Sequence, residues 1–231
     1  MTRTLQVLRI CLVNLPAALW WPWGILAAAF AINLAIFSVV DQPADGGNVS
    51  GGLLSIYGVV AVFFIQLFTQ YLPFLLGLGV TRRRFFLTVV AAALLQALTY
   101  GIVLTLFERL EAASGGWGVD LDFFGVPLLV VDNPIEQTLV YAGPFLLFAF
   151  VGAVMGVVYT RWGQRGMYVL LLGSIVGVGA AVFLLTWQGG WPAFGQWFVD
   201  SSTLALFLGW PTLIGAVLAV AVFGLLRRTP A

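Results

Sequence analysis

A chain of 231 residues that is 61% hydrophobic and 8% charged, with a mean hydropathy of +1.06, is not a water-soluble domain, which carries about a quarter of its residues as charges. Its basic residues are all arginine, and it has no lysine and no histidine. A phosphate-binding P-loop needs its lysine, a retinal-type Schiff base needs another, and His-ligated zinc or haem and a Ser-His-Asp triad need histidine, so the inventory argues against all of them.

A helix that crosses a hydrocarbon core of about 30 Å uses roughly 20 mostly apolar residues, so candidate spans are read directly from the apolar stretches. Residues 2–14 come first: Leu5, Val7, Leu8, Cys11 and Leu12 alternate with Arg3, Gln6, Arg9 and Asn14 at helical spacing, which predicts an amphipathic helix on the membrane interface before Pro16. Cys11 has no intrachain partner and reads as a packing residue. The first span, 19–40, is too long for a secretory apolar region of about 15 residues and is expected to be retained. It opens on Trp20, Trp21 and Trp23, read as interfacial anchors, and carries Asn33 at depth.

The second span, 53–76, contains Ser55, Gln66, Thr69 and Gln70, the last three directed to one side of the helix. Such a face serves either as an interhelical hydrogen-bond seam or as part of a translocation path. A glycine-punctuated turn then leads through Arg82, Arg83 and Arg84 into the third span, 86–107, which holds Gln96 and Thr99. The longest connection, 108–137, is acidic and glycine-bearing. Asp120 and Asp122 form a D-x-D pair, and Asp132 and Glu136 are spaced to share a helix face. A solvated acidic loop is the simpler reading, because the glycines are frequent and no basic group stands ready for a phosphate.

The fourth, fifth and sixth spans are placed at 138–159, 167–187 and 204–226. Gly152-x-x-x-Gly156 and Gly173-x-x-x-Gly177 are spacings that let helix backbones approach. Trp187, Trp191, Trp197 and Trp210 group around one end of the last two spans as a second aromatic belt. The expected architecture is therefore all-α and integral to the membrane, a single transmembrane domain over 1–231 with six spans.

Alternating the connections across those spans puts every arginine except Arg109 on one side and all nine acids on the other. The arginine side is then cytoplasmic, with both termini there. No span interior holds a charged residue, which disfavours coupling to protons.

The segment Gly79-Val80-Thr81-Arg82-Arg83-Arg84-Phe85-Phe86 resembles the cytoplasmic turn between the second and third helices of bacterial ABC-2-type transporter membrane subunits, where phrases of the form G-x-[ST]-R-[RK]-x-[FW] recur. The outline is similar too: an amphipathic N-terminal helix, six spans, termini inside, and a Pro/Gly-broken hairpin, here Gln188 to Phe198, before the last span. The 108–137 loop is longer than the family's minimal pattern. The resemblance implies a permease subunit in a bacterial plasma membrane, exporting an apolar or amphipathic substrate. Gly79, Val80, Thr81, Arg82, Arg83 and Arg84 would couple to a separate ATP-binding-cassette ATPase subunit that binds ATP and magnesium. The permease itself would hold no cofactor or metal and would not be an enzyme. It implies a homodimer or a pair with a sister permease, contact with membrane lipid and none with nucleic acid, and a substrate path for which Asn33, Gln66, Thr69, Gln70 and Gln96 are the available polar groups. Two rivals stand beside it: a non-transporting membrane module that binds a partner through the acidic loop, and a metal-dependent lipid-modifying membrane enzyme.

Overall fold

Backbone N–H and C=O groups have no water to bond in lipid, so a chain of this composition satisfies them within helices. The computed structural model, which describes residues 15–39 and 48–227, is built that way. Helix α1 spans Leu15–Val39, α2 Leu54–Gly77, α3 Arg82–Ala113, α4 Pro134–Trp187, α5 Trp191–Asp200 and α6 Ala205–Arg227. Five of these are long and apolar enough to cross a membrane, and α4, at 54 residues, is broken at Gly163 into two stretches that correspond to the fourth and fifth sequence-derived spans. The interfacial helix expected at 2–14 lies outside the described residues.

Local chemistry explains where the helices deform. In α2 a π turn at Leu67–Tyr71 precedes Pro73, and in α6 another at Ala205–Gly209 precedes Pro211. Proline has no N–H for the carbonyl four residues back and crowds it, and a widened turn accommodates both problems. Gly163 takes φ 60° and ψ −149°, a conformation open almost only to glycine, so the chain turns there without a loop.

The bundle packs through its small residues. A Cβ on Gly143 would strike the Phe207 carbonyl, one on Gly152 the Ala61 carbonyl, and one on Gly156 the Phe68 side chain. Helices α2 and α6 therefore press directly on the backbone of α4 between residues 134 and 162. Around these contacts Tyr57, Phe64, Phe68, Phe85, Tyr100, Tyr141 and Phe145 are buried. The far part of α4 differs. Every residue from Leu171 to Leu184 is exposed, and Gly173 and Gly177 face open space, so that only the first of the two glycine spacings packs within the chain.

Arg84, Arg161 and Arg227 come together at one end. Phe85, beside Arg84, packs on Phe68 with ring centroids 5.3 Å apart, and Thr160, beside Arg161, bonds the Phe68 carbonyl. Phe86 meets Phe223 at 5.0 Å, and the Arg227 guanidinium lies 5.2 Å over that same ring. The connection between α3 and α4 occupies the opposite end. It is shorter than the 108–137 loop read from sequence, because α3 continues to Ala113 and α4 starts at Pro134.

Candidate functional site: an aromatic cleft under a pinned loop

The loop from 114 to 133 is a folded cap with a core of its own. Ser-Gly-Gly-Trp-Gly over 114–118 lets four successive residues, Gly115 to Gly118, take positive φ. Only Trp117 among them has a side chain, and its left-handed backbone (φ 60°) costs about 1–2 kcal/mol. Its indole offsets that cost, because Nε1–H donates to the Glu111 carboxylate at 2.8 Å.

Glu111 is the anchor of the cap. Its side chain is 2% exposed and also accepts from the backbone N–H groups of Phe123 (3.1 Å), Phe124 (3.1 Å) and Gly125 (2.6 Å). An ionised carboxylate is the acceptor best suited to several converging N–H donors. Gln137, fully buried, holds the other half of the cap by accepting from Val131 N–H at 2.6 Å and donating to the Leu129 carbonyl at 3.0 Å. The Tyr141 hydroxyl donates to the Phe124 carbonyl at 2.7 Å, and Arg109 donates to the Asp132 carbonyl at 2.8 Å. A two-residue parallel ladder, Asn48 opposite Leu121 and Val49 opposite Asp122, ties in the connection from α1 to α2.

Glu108, one turn before Glu111, is also buried, and its Oε2 has no hydrogen-bond donor. Burial pushes its carboxyl above the ordinary range; the Arg109 guanidinium, 3.5 Å away, opposes the shift and the Glu111 charge adds to it. Asp122 is raised as well, first by burial and then by the charges of Glu111 and Asp120.

Beneath the cap, between α1 and α3, lies a cleft of about 600 Å³. Helix α1 lines it with Trp20, Trp23, Leu26, Ala27 and Phe30, α3 with Thr99, Tyr100, Val103 and Phe107, and the cap with Trp117 and Phe124. The rings brace one another. Trp23 lies 4.9 Å from Tyr100, Phe30 lies 5.1 Å from Trp117, and Phe107 stacks on Phe124 at 5.1 Å and 16°. Such pairs contribute about 0.5–1.5 kcal/mol each beyond their burial. Trp20 and Trp23, read from sequence as interfacial anchors, are walls of this cleft.

The five polar residues proposed for a substrate path are not gathered in it. The Asn33 amide donates to the Ala29 carbonyl and accepts from the Ser50 hydroxyl at 2.8 Å. Thr69 bonds its own helix at Ile65, Gln66 is exposed just before the π turn of α2 and Gln70 is exposed within it, and Gln96 is buried against Tyr100. The acidic pairs also separate. Asp120 is exposed in a turn while Asp122 sits in the ladder, and Asp132 precedes the helix that Glu136 belongs to, so these two do not share a helix face. Asn133 stands between them as the N-cap, accepting from Ile135 N–H at 3.0 Å.

At the opposite end the Gly79–Arg84 hairpin is compact. Gly79 has φ 81°, and its N–H and that of Val80 bond back to Leu76 and Leu75, closing α2 in a Schellman turn. Thr81 then caps α3 by accepting from Arg84 N–H. Arg82 is half-buried, Arg83 and Arg84 are exposed, and none of the three forms an ion pair among the described residues.

Sequence reasoning missed Glu111, Tyr100, Phe107, Trp117 and Phe124 as site residues. The available signal was that the apolar face of α3 runs on through Leu104 and Phe107 and then meets Glu108 and Glu111 on the same side. Comparison with family models, with curated proteins and with solved structures returns no match to this chain.

Proposed function

We propose that this chain is the permease subunit of an ATP-binding-cassette exporter, moving an apolar or amphipathic substrate across a bacterial plasma membrane while a separate subunit hydrolyses ATP. The observation that carries the reading is the start of α3. Three arginines occupy the first turn of an N-capped helix, where the helix dipole disfavours cations by about 0.3–1 kcal/mol each. Within the described residues no acid of the chain offsets that cost. A tight Schellman turn presents the exposed guanidinium groups at the end of the bundle, a form suited to an acidic groove on a soluble partner. The arginines also mark that end as cytoplasmic by the positive-inside rule, the side on which such a partner resides.

The test is recovery of the tagged chain from its native membrane in mild detergent, with co-purifying proteins identified by mass spectrometry. A soluble P-loop ATPase is expected, lost on Arg83→Glu with Arg84→Glu and retained on Arg83→Lys with Arg84→Lys. A preparation free of any ATPase, under conditions that keep known complexes intact, would sink the reading.

A further inference from the structure

The cleft between α1 and α3 has a chemistry that the coupling hairpin does not explain, and it stands whether or not an ATPase docks at the other end. Its volume of about 600 Å³ lies within the range of about 300–1,000 Å³ that receives compact organic ligands. Aromatic carbon forms most of its wall, and the face of an aromatic ring carries the negative lobe of its quadrupole, which attracts a cation within about 6 Å of the ring centre.

Two features bias the cleft further toward positive charge. The Trp117 indole donates its Nε1–H to the buried Glu111 carboxylate, which withdraws the ring's positive edge and increases the electron density of its face. The cap and its flanks, from Glu108 to Glu136, hold six carboxylates against a single arginine. That arginine, Arg109, is directed to the Asp132 carbonyl and to Glu108 rather than into the cleft. An anion entering here meets repulsion, and a strongly hydrated cation loses its water to walls that cannot replace it. A cation whose charge is spread under hydrocarbon meets neither obstacle.

We propose that the cleft between α1 and α3 is a binding site for a lipophilic organic cation, a quaternary or protonated amine or an equivalent onium ion carrying apolar groups. Trp23, Tyr100, Phe107 and Trp117 supply the ring faces, and the carboxylate behind Trp117 supplies the compensating charge. Thr99, on the exposed side of α3, stands at the edge of the cleft.

The experiment is equilibrium dialysis of the full chain in phosphatidylcholine nanodiscs, with empty discs subtracted, against tetraphenylphosphonium and tetraphenylborate, ions of one shape and opposite charge. Saturable binding of the phosphonium is expected, with quenching of tryptophan fluorescence, and binding of the borate weaker by at least about tenfold. Thr99→Trp fills the cleft from its exposed edge without entering the core. It should weaken phosphonium binding by about tenfold or more while leaving the melting temperature unchanged. Absence of saturable phosphonium binding, equal binding of the two ions, or undiminished binding by a folded Thr99→Trp variant would each overturn the proposal.

Discussion

At the scale of single residues, the two glutamates at the end of α3 behave oppositely, although they are three positions apart on one helix. Glu111 gathers N–H donors from Trp117, Phe123, Phe124 and Gly125, whereas Glu108 is buried with an oxygen that accepts no hydrogen bond and has only the Arg109 guanidinium 3.5 Å away. Ionised Glu108 is therefore less favourable in the folded protein than in the unfolded chain, and its folded pKa is raised. The folded state then binds more protons than the unfolded one as pH passes upward through the ordinary carboxylate value. By linkage its stability falls over that interval and levels off above the folded pKa. Thermal melts over a pH series should show this decline, and Glu108→Gln should flatten it and raise stability at neutral pH. Glu111→Gln should act in the other direction. An amide cannot accept on both sides, and the loss of charge-assisted bonds should destabilise the cap by roughly 1.5–3 kcal/mol. Faster proteolysis between 114 and 133 would report it. Little of this was legible beforehand, since the letters of an acidic, glycine-rich stretch describe a wet loop equally well. The difference lies in Ser114 to Gly118, where backbone conformations open mainly to glycine bring the strand that follows back onto Glu111.

Among the helices, small residues decide which faces are filled. Gly152 and Gly173 read alike in sequence, each the first of a small-xxx-small pair within an apolar stretch. One lies against the Ala61 carbonyl of α2 and the other faces open space. Gly152→Leu should force α2 away from α4, at a cost of about 1–3 kcal/mol or more. Gly173→Leu should change the stability of the isolated chain by no more than about 0.5 kcal/mol. Denaturant titration of both variants in the same detergent separates the two cases. Hydropathy marked the apolar segments because each is long, but it gave no sign of the π turns that widen α2 and α6. Hydropathy could not show that α3 continues past the membrane-length stretch to Ala113, because Glu108, Arg109 and Glu111 look like the end of a span. Nor could it separate packed faces from open ones, which depend on the partner across the gap.

The molecule as a whole has two chemically distinct ends. The contacts of Phe68, Phe85, Phe86 and Phe223 gather arginines at one, and the cap with its carboxylates closes the other. In sealed vesicles of known orientation, a cysteine placed at Thr81 and one placed at Ser114, each with Cys11 replaced by serine, should react with a membrane-impermeant maleimide from opposite faces. Labelling of both from the same face would contradict the arrangement of helices. The separation of charges was readable from the order of arginines and acids along the chain. The cleft was not, because its walls come from α1, α3 and the cap, and no short window of sequence contains them together.

Of the helices that run between these two ends, α3 is the least deformed. Pro22 lies within α1, π turns deform α2 and α6, and Gly163 breaks α4, but α3 runs for 32 residues with neither proline nor π turn. At 1.5 Å per residue it is a strut of about 48 Å. Its first turn carries the arginine triad, its middle carries Thr99 and Tyr100, and its last turns carry Phe107 and Glu111. The arginine triad, the wall of the cleft and the anchor of the cap therefore belong to one continuous run of backbone hydrogen bonds, with no proline or widened turn between them to serve as a joint.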